Sequence, residues 1–294
     1  MLTLIIIAFL IIGVLLYSFI IEPHRLKQRH YLIKKDKQTV LDISKAYDMY
    51  QEEDTIVIAH ISDLHFSHWF KPRRMNRIIR STIEHKPDLI VITGDLIDNY
   101  KKWPHRSTNR LVEKLKKLQA PMGKLAILGN HDHLHDGHYF VAEVFRNAGF
   151  TLLDNESVFG SDEKTSMSIT GIDIESPRVN YSYESTLAEW QILLLHEPDY
   201  VSRVTNLHSY DLILSGHSHG GQIRLPFYYA KTKGALKYTD GLYLFGEDTL
   251  LSVTSGVGTT KIPARLGVPP EMIYYHLPPQ KEPTPKNTQT QHVQ

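Results

Sequence analysis

Eight short apolar runs, separated by polar or amphipathic stretches, constrain this chain more than any other feature. They are TIVIAHIS (55–62), DLIVIT (88–93), KLAILG (124–129), SMSITGI (166–172), QILLLH (191–196), DLILSG (211–216), TLLSVTS (249–255) and EMIYYHL (271–277). Each is shorter than an ordinary helix and most are rich in β-branched residues, so each reads as a buried strand. Helical patterns lie between several of them. Residues 72–86 carry Met75, Ile78, Ile79 and Ile83 at helical spacing behind Pro72, and residues 107–119 and 138–148 read similarly. Strands alternating with helices specify an α/β fold whose strands are mostly buried. With 294 residues, 41% of them hydrophobic, the chain can bury one large core or two small ones.

Five of the runs end in residues that bind metals. Asp63 and His65 follow the first, Asp95 and Asp98 the second, and Asn130, His131 and Asp132 the third; His196 ends the fifth, and His217 and His219 follow the sixth. In an open α/β sheet the carboxyl ends of the strands share one edge, so residues more than a hundred positions apart can meet there. The chain has no cysteine, which leaves histidine, carboxylate and amide groups as ligands. Two divalent ions about 3.5 to 4 Å apart could clamp the oxygens of an in-line displacement, and a bridging carboxylate would hold them that close. Alternation in Asp-x-His and His-x-His would send both side chains the same way from an extended strand end. Singly, Asp-x-His is usually a turn and Gly-Asp a helix cap. Gly-Asn-His-Asp is more specific, and all five motifs in this order leave little room for coincidence.

The series Asp-x-His, Gly-Asp-x-x-Asp, Gly-Asn-His-Asp, a later His and Gly-His-x-His resembles the signature of the calcineurin-like metallophosphoesterases over roughly residues 54–277. GHSHGGQIRLP followed by SGVGTTKIPARLGVPPEMIYYHL is similar to a branch of bacterial membrane-associated phosphoesterases that includes calcineurin-type UDP-2,3-diacylglucosamine pyrophosphatases. The resemblance implies a two-sheet αββα sandwich. It implies that Asp63, His65 and His219 bind one metal, that Asn130, His196 and His217 bind a second, and that Asp95 bridges them. His131 would face the scissile phosphate as general acid or transition-state stabiliser, with Asp98 orienting it, although the phosphatases that share this Asp spacing continue with Arg-Gly where this chain has Asn99 and Tyr100. Arg224 would meet the substrate's phosphate or tie down its loop. The implied reaction is hydrolysis of a phosphodiester or pyrophosphate by a metal-bridging hydroxide; phosphomonoester or cyclic nucleotide hydrolysis is the alternative within the enzyme class, and a membrane-tethered scaffold the alternative outside it. The mixed oxygen and nitrogen ligand set suits Mn²⁺ best, with Fe²⁺ or Zn²⁺ next.

Residues 2–21 hold no charge, and about 20 residues at ~1.5 Å rise reach ~30 Å, the thickness of a bilayer's hydrocarbon core. They are expected to form a transmembrane anchor, since a cleaved signal peptide would show a basic start and a small-x-small site. Arg25, Lys27, Arg29, Lys34, Lys35 and Lys37 follow, which by the positive-inside rule puts the catalytic part in the cytoplasm; the same cluster could rest on anionic headgroups. The expected organisation is an anchor (1–22), a basic connector (23–53), a phosphoesterase domain (54–279) and a disordered tail rich in Pro, Thr and Gln (280–294). Lys and Arg total 33 against 32 Asp and Glu, so nucleic acid is not an expected partner. The expected partners are a phosphate-ester or pyrophosphate substrate, lipid-linked in keeping with the anchor, and the membrane lipid itself. Of the remaining histidines, His60 is expected in the core, and His133, His135 and His138 in a loop and helix start. HWFKPRR (68–74), with Trp69 and Phe70 beside basic residues, is either an ordinary loop or a lip that touches membrane. RLPFYYAKTKGALKY (224–238) mixes aromatics and bases in the same way, to grip a headgroup or to cover a sheet edge.

Overall fold

A computed structural model describes residues 1–34, 40–47, 55–161, 165–182, 188–247 and 249–279, so the expected tail lies outside the described residues. The strands are β1 (Lys27–Ile33), β2 (Val40–Asp42), β3 (Ile56–Ile61), β4 (Leu89–Thr93), β5 (Lys124–Ile127), β6 (Thr151–Leu152), β7 (Glu156–Ser161) and β8 (Ser166–Ile172). They continue as β9 (Trp190–Leu195), β10 (Leu212–Ser215), β11 (Arg224–Leu225), β12 (Tyr228–Tyr229), β13 (Gly241–Phe245), β14 (Thr249–Val253) and β15 (Glu271–Leu277). The helices are α1 (Leu2–Leu16), α2 (Met75–His85), α3 (Thr108–Leu115), α4 (Asn130–His133) and α5 (Gly137–Asn147). All eight apolar runs form strands.

One sheet has the order β2-β1-β15-β3-β4-β5-β6 and the other β13-β14-β10-β9-β8-β7; β11 and β12 form a separate hairpin. Strand alternation divides the core. In β4, Ile90 and Ile92 face the helices, packing with Met75 and Ile78 of α2, Leu111 of α3 and Phe145 of α5. Leu89 and Val91 face the other way, into a layer shared with Ile192 and Leu194 of β9 and Leu212 and Leu214 of β10. This is a two-sheet sandwich with helices on one outer face. The other outer face is covered by 3₁₀ turns, Pro198–Arg203 and Leu207–Ser209, above Leu193, Leu195 and Ile213. Ile83, expected on the inner face of α2, is 66% exposed. At 100° per residue it lies about 80° around the helix from Met75, and Thr82 takes the inner place.

Residues expected as a connector are part of the sandwich. β1 pairs in parallel with β15, from Lys27 opposite Glu271 to Leu32 opposite His276, and β2 pairs with β1. Tyr31, Leu32 and Ile33 are buried, and Arg29 is tied to Glu271 at 2.8 Å. The cause is a partner strand at the far end of the sequence, which offers β1 a hydrogen-bonded ladder despite its charges. Ahead of β1, Leu2–His24 is helical throughout, and its most apolar 18 residues have a mean hydropathy of 3.1 and are almost wholly exposed, so it is long and apolar enough to cross a membrane. Its base is tied to the sandwich: Arg265 donates its main-chain N–H to the Ser18 carbonyl (2.9 Å), and Gly267 donates to the Glu22 carboxylate (2.9 Å).

Candidate metal centre

β3, β4 and β5 are parallel neighbours in the first sheet, and β9 and β10 in the second, so the residues that follow them collect at one edge of the sandwich. Three groups of side chains there could each hold an ion: Asp63, His65 and His219; His65, Asp95 and His131; and Asp95, His196 and His217. Asp95 and His65 each belong to two of them. His65 Nε2 lies 2.9 Å from His219 Nε2 and 3.2 Å from Asp95 Oδ2, and His196 Nε2 lies 3.3 Å from Asp95 Oδ2. His219 Nε2 is 3.5 Å from Asp63 Oδ1.

The convergence does not come from extended strand ends. Asp63, His65, Asp95, His217 and His219 all have left-handed backbones, with φ of 52°, 44°, 55°, 69° and 50°. Such conformations cost on the order of 1–3 kcal/mol each in non-glycine residues, and they persist only where the surroundings fix them. Here the surroundings are hydrogen bonds across the sandwich. The His217 main-chain N–H donates to the Asp63 carboxylate (3.0 Å), and the His131 N–H donates to Asp95 Oδ1 (2.9 Å). Close approach adds to this: a Cβ on Gly129 would stand 2.7 Å from the Asp95 nitrogen and 2.8 Å from the His196 ring.

Backbone carbonyls set the ring tautomers. His196 donates Nδ1–H to the Thr93 carbonyl (2.6 Å), and His217 donates Nε2–H to the Lys233 carbonyl (2.7 Å). The opposite nitrogens, His196 Nε2 and His217 Nδ1, then face each other at 3.3 Å with Asp95 beside them. Two lone pairs and a carboxylate aimed at one point call for a positive charge between them.

The electrostatics agree. Burial would push the Asp63 and Asp95 carboxyls up, but the neighbouring histidines outweigh it and hold both below the usual range. Burial opposes protonation of His196, yet Asp95 and Asp63 raise it to about 10, and Asp95 with Asp63 raises His65 as well. His217 and His219 are instead lowered, first by burial and then by the rings of His196 and His65 respectively. Asn130 Oδ1 and His219 Nδ1 are buried without a hydrogen-bond partner among the described residues. Buried polar atoms left without partners in a field that attracts cations, among mixed oxygen and nitrogen ligands, fit divalent metals.

His131 sits in α4 and donates Nδ1–H to the main-chain carbonyl of Asp98 (2.7 Å), which leaves Nε2 available. Asp98 therefore reaches His131 through its backbone; its carboxylate is 3.7 Å from that ring but 3.3 Å from His65 Nδ1 and from the Thr260 hydroxyl. Arg224 is occupied by its own loop, with Nε on the Gly220 carbonyl (2.6 Å), a contact to Asp240 (3.3 Å) and its guanidinium over the Tyr229 ring. Those contacts tie down the segment after His219 rather than presenting a free cation to the metal residues. His60 is a core residue between Thr93 and Tyr275, lowered to about 3 by burial. His133 pairs with Asp173 at 2.8 Å and stacks on His138, and neither belongs to a ligand group.

A model of the calcineurin-like phosphoesterase family matches residues 56–221. The chain is a calcineurin-like phosphoesterase. The uncharacterized metallophosphoesterase YkuE of Bacillus subtilis is 34% identical over 274 residues, covering 89% of this phosphoesterase and 88% of its own length. The phosphodiesterase YaeI of Escherichia coli is 28% identical over 226 residues, covering 75% and 81%. A solved archaeal phosphodiesterase overlaps with a TM-score of 0.38 at 13% identity, covering 68% of this chain and 84% of its own. The family uses divalent metals, and the clusters above are this phosphoesterase's candidate ligands.

Two residues fix the site of this phosphoesterase in ways the sequence did not reveal: Asp132, which stood there among the metal-binding residue types, and Arg265, which drew no notice. Asp132 accepts main-chain N–H bonds from Leu96 (2.9 Å), Ile97 (3.2 Å) and Gly129 (3.1 Å), joining the loops after β4 and β5; burial and Asp95 push its carboxyl up to about 7. An acidic side chain at the third position of a helix opened by glycine was the available signal. Arg265 is fully buried and donates to the carbonyls of Gly258 (2.7 Å), Ser255 (2.8 Å), Gly256 (3.1 Å) and Val268 (3.2 Å). It folds segment 255–268 against Asp63, where a Cβ on Gly256 would come 2.6 Å from the Asp63 Cβ.

Proposed function

We propose that this chain is a membrane-anchored phosphodiesterase or pyrophosphatase that works with two divalent cations. The observation that carries the proposal is the pair of ring nitrogens beside Asp95, each left with its lone pair inward by a backbone carbonyl on its other side. Asp63, His65 and His219 would hold one cation, Asn130, His196 and His217 the other, with Asp95 shared between them. Mn²⁺ suits the donor set best, ahead of Fe²⁺ and Zn²⁺. When bound, such cations supply Lewis acidity and a water of lowered pKa.

The chain's own groups supply the rest. His131 lines a cavity of about 320 Å³ together with Asp98, Trp69 and Thr260. With Nδ1 fixed by the Asp98 carbonyl, its Nε2 can donate to a phosphoryl oxygen or to the leaving oxygen as negative charge develops there. The same cavity carries Leu134 and Ile262, 40% and 45% exposed, and Trp69, 65% exposed. Apolar groups around a phosphate site suit a substrate with a hydrocarbon arm, and the helix Leu2–His24 would hold the enzyme where such substrates reside. The basic residues after the helix favour the cytoplasmic face, although Arg29 is engaged by Glu271.

The test uses the full chain in detergent with Mn²⁺ and bis(p-nitrophenyl) phosphate. Asp95→Asn and His217→Ala are expected to abolish release of nitrophenol. Unchanged turnover in folded, Mn²⁺-saturated variants would overturn the proposal.

A further inference from the structure

Beside the base of the apolar helix lies a second cavity, of about 370 Å³, lined by His24, Trp69, Arg73, Arg74, Arg77 and Arg80. Its four arginines have no carboxylate within ion-pair distance among the described residues. Arg29, Arg178 and Arg224 do have one, and Arg265 is satisfied by carbonyls. Arg74 is half-buried, with its guanidinium 5.1 Å from the centre of the Phe70 ring. Burial, then Arg77 and Arg73, push its pKa below the ordinary arginine value. Arg77 reaches the His24 carbonyl, which brings the cluster against the helix base. Like charges gathered around a cavity repel one another unless an anion sits among them, and guanidinium groups match phosphate oxygens in pairs.

The level of the cavity indicates the source of the anion. Residues 2–21 are uncharged and span about 30 Å of hydrocarbon at ~1.5 Å each, so Pro23 and His24, which line the cavity, emerge at the depth of lipid headgroups. Trp69, 65% exposed, lines both this cavity and the one containing His131. An exposed tryptophan is a residue suited to the membrane interface.

We propose that the cavity between the helix base and α2 binds the phosphate of an anionic phospholipid headgroup, with Arg73, Arg74, Arg77 and Arg80 as its ligands. The proposal rests on Leu2–His24 spanning the membrane. It goes beyond the catalytic reading, because the lipid is a positioning ligand that holds the sandwich against the bilayer with the catalytic mouth on the other side of Trp69.

The experiment titrates the full chain in neutral detergent with phosphatidylglycerol, phosphatidylcholine or inorganic phosphate, counting retained molecules by native mass spectrometry. EDTA is present so that no ester is hydrolysed. One phosphatidylglycerol per chain is expected, with phosphatidylcholine at least about tenfold weaker. Arg74→Gln with Arg77→Gln should weaken retention about tenfold or more, and the exposed Arg80→Gln alone about fivefold. Equal retention of the two lipids, no effect of either variant, or an equal loss in the control Lys117→Gln overturns the proposal. Inorganic phosphate that displaces the lipid at similar concentration overturns the lipid as source. Carbonate extraction of membranes checks the anchor separately: release of the wild-type chain fells the spanning helix, whereas a retained chain without lipid preference fells only the headgroup site.

Discussion

Two clusters of buried histidines occur among the described residues of this phosphoesterase, and they are built from different materials. His30 and His276 lie in the regular strands β1 and β15, with Nδ1 of one 3.0 Å from Nε2 of the other. His30 stacks on Tyr47 at 4.4 Å and Tyr274 at 4.8 Å and meets His85 edge-on. Burial, with neighbouring imidazoles, lowers His30 to about 3 and His276 to about 4, so both are neutral aromatic rings at working pH. At the carboxyl edge, His65 and His196 are raised instead, because Asp63 and Asp95 are buried beside them. There the backbone is left-handed at Asp63, His65, Asp95, His217 and His219, and carbonyls aim the ring nitrogens of His196 and His217. Histidine density is therefore a poor guide to chemistry; carboxylates and a strained backbone separate a cation site from a packed core.

The largest effect that tests this contrast is on catalysis. His219→Ala should cut diester hydrolysis by about 10² to 10⁴, the equivalent of losing several kcal/mol of charge stabilisation. His276→Phe should leave it within about twofold. Equal losses, measured as kcat/KM at saturating Mn²⁺, would erase the distinction between the clusters.

Asp132 sharpens the comparison at the next level, because it touches main-chain N–H groups of the loops that carry Asp95, Asn130 and His131. Asp132→Ala is expected to weaken Mn²⁺ binding about 10- to 100-fold while much of kcat returns at high Mn²⁺. Mn²⁺ activation curves distinguish this from a general loss of fold, in which added metal would restore nothing.

The smallest effect is on acid stability. His30 and His276 have depressed folded-state values, so the stability they permit is present above about 6.5 and is lost as pH falls through about 4 and then about 3. His276→Phe should reduce the stability lost between pH 7 and pH 4 by on the order of 1 kcal/mol. Urea midpoints at the two pH values measure it, and an undiminished loss in the variant would contradict the assignment.

The sequence spoke most clearly where local pattern decides structure. SMSITGI and EMIYYHL coincide with β8 and β15 residue for residue, since each run is short, apolar and bounded by breakers. The ligand motifs were legible because strand ends must meet at an edge. β1 was not, because its ladder is supplied by β15, from Lys27 opposite Glu271 onward, and no local pattern announces so distant a partner. The left-handed turns at Asp63, His65, His217 and His219 replaced the expected extended alternation; Asp and His tolerate that region well enough that residue type alone is silent. Arg265 was hidden for another reason: its partners are main-chain carbonyls, which leave no mark on the residues that carry them.

In the proposed centre, Asp95 lies between two cations held by two groups of residues. Anomalous scattering at the manganese edge, from crystals of the full chain grown with Mn²⁺, tests it directly. The expected result is two peaks, one among Asp63, His65 and His219 and one among Asn130, His196 and His217, with the Asp95 carboxylate between them. A single peak, or peaks elsewhere with these side chains unmoved, would contradict it.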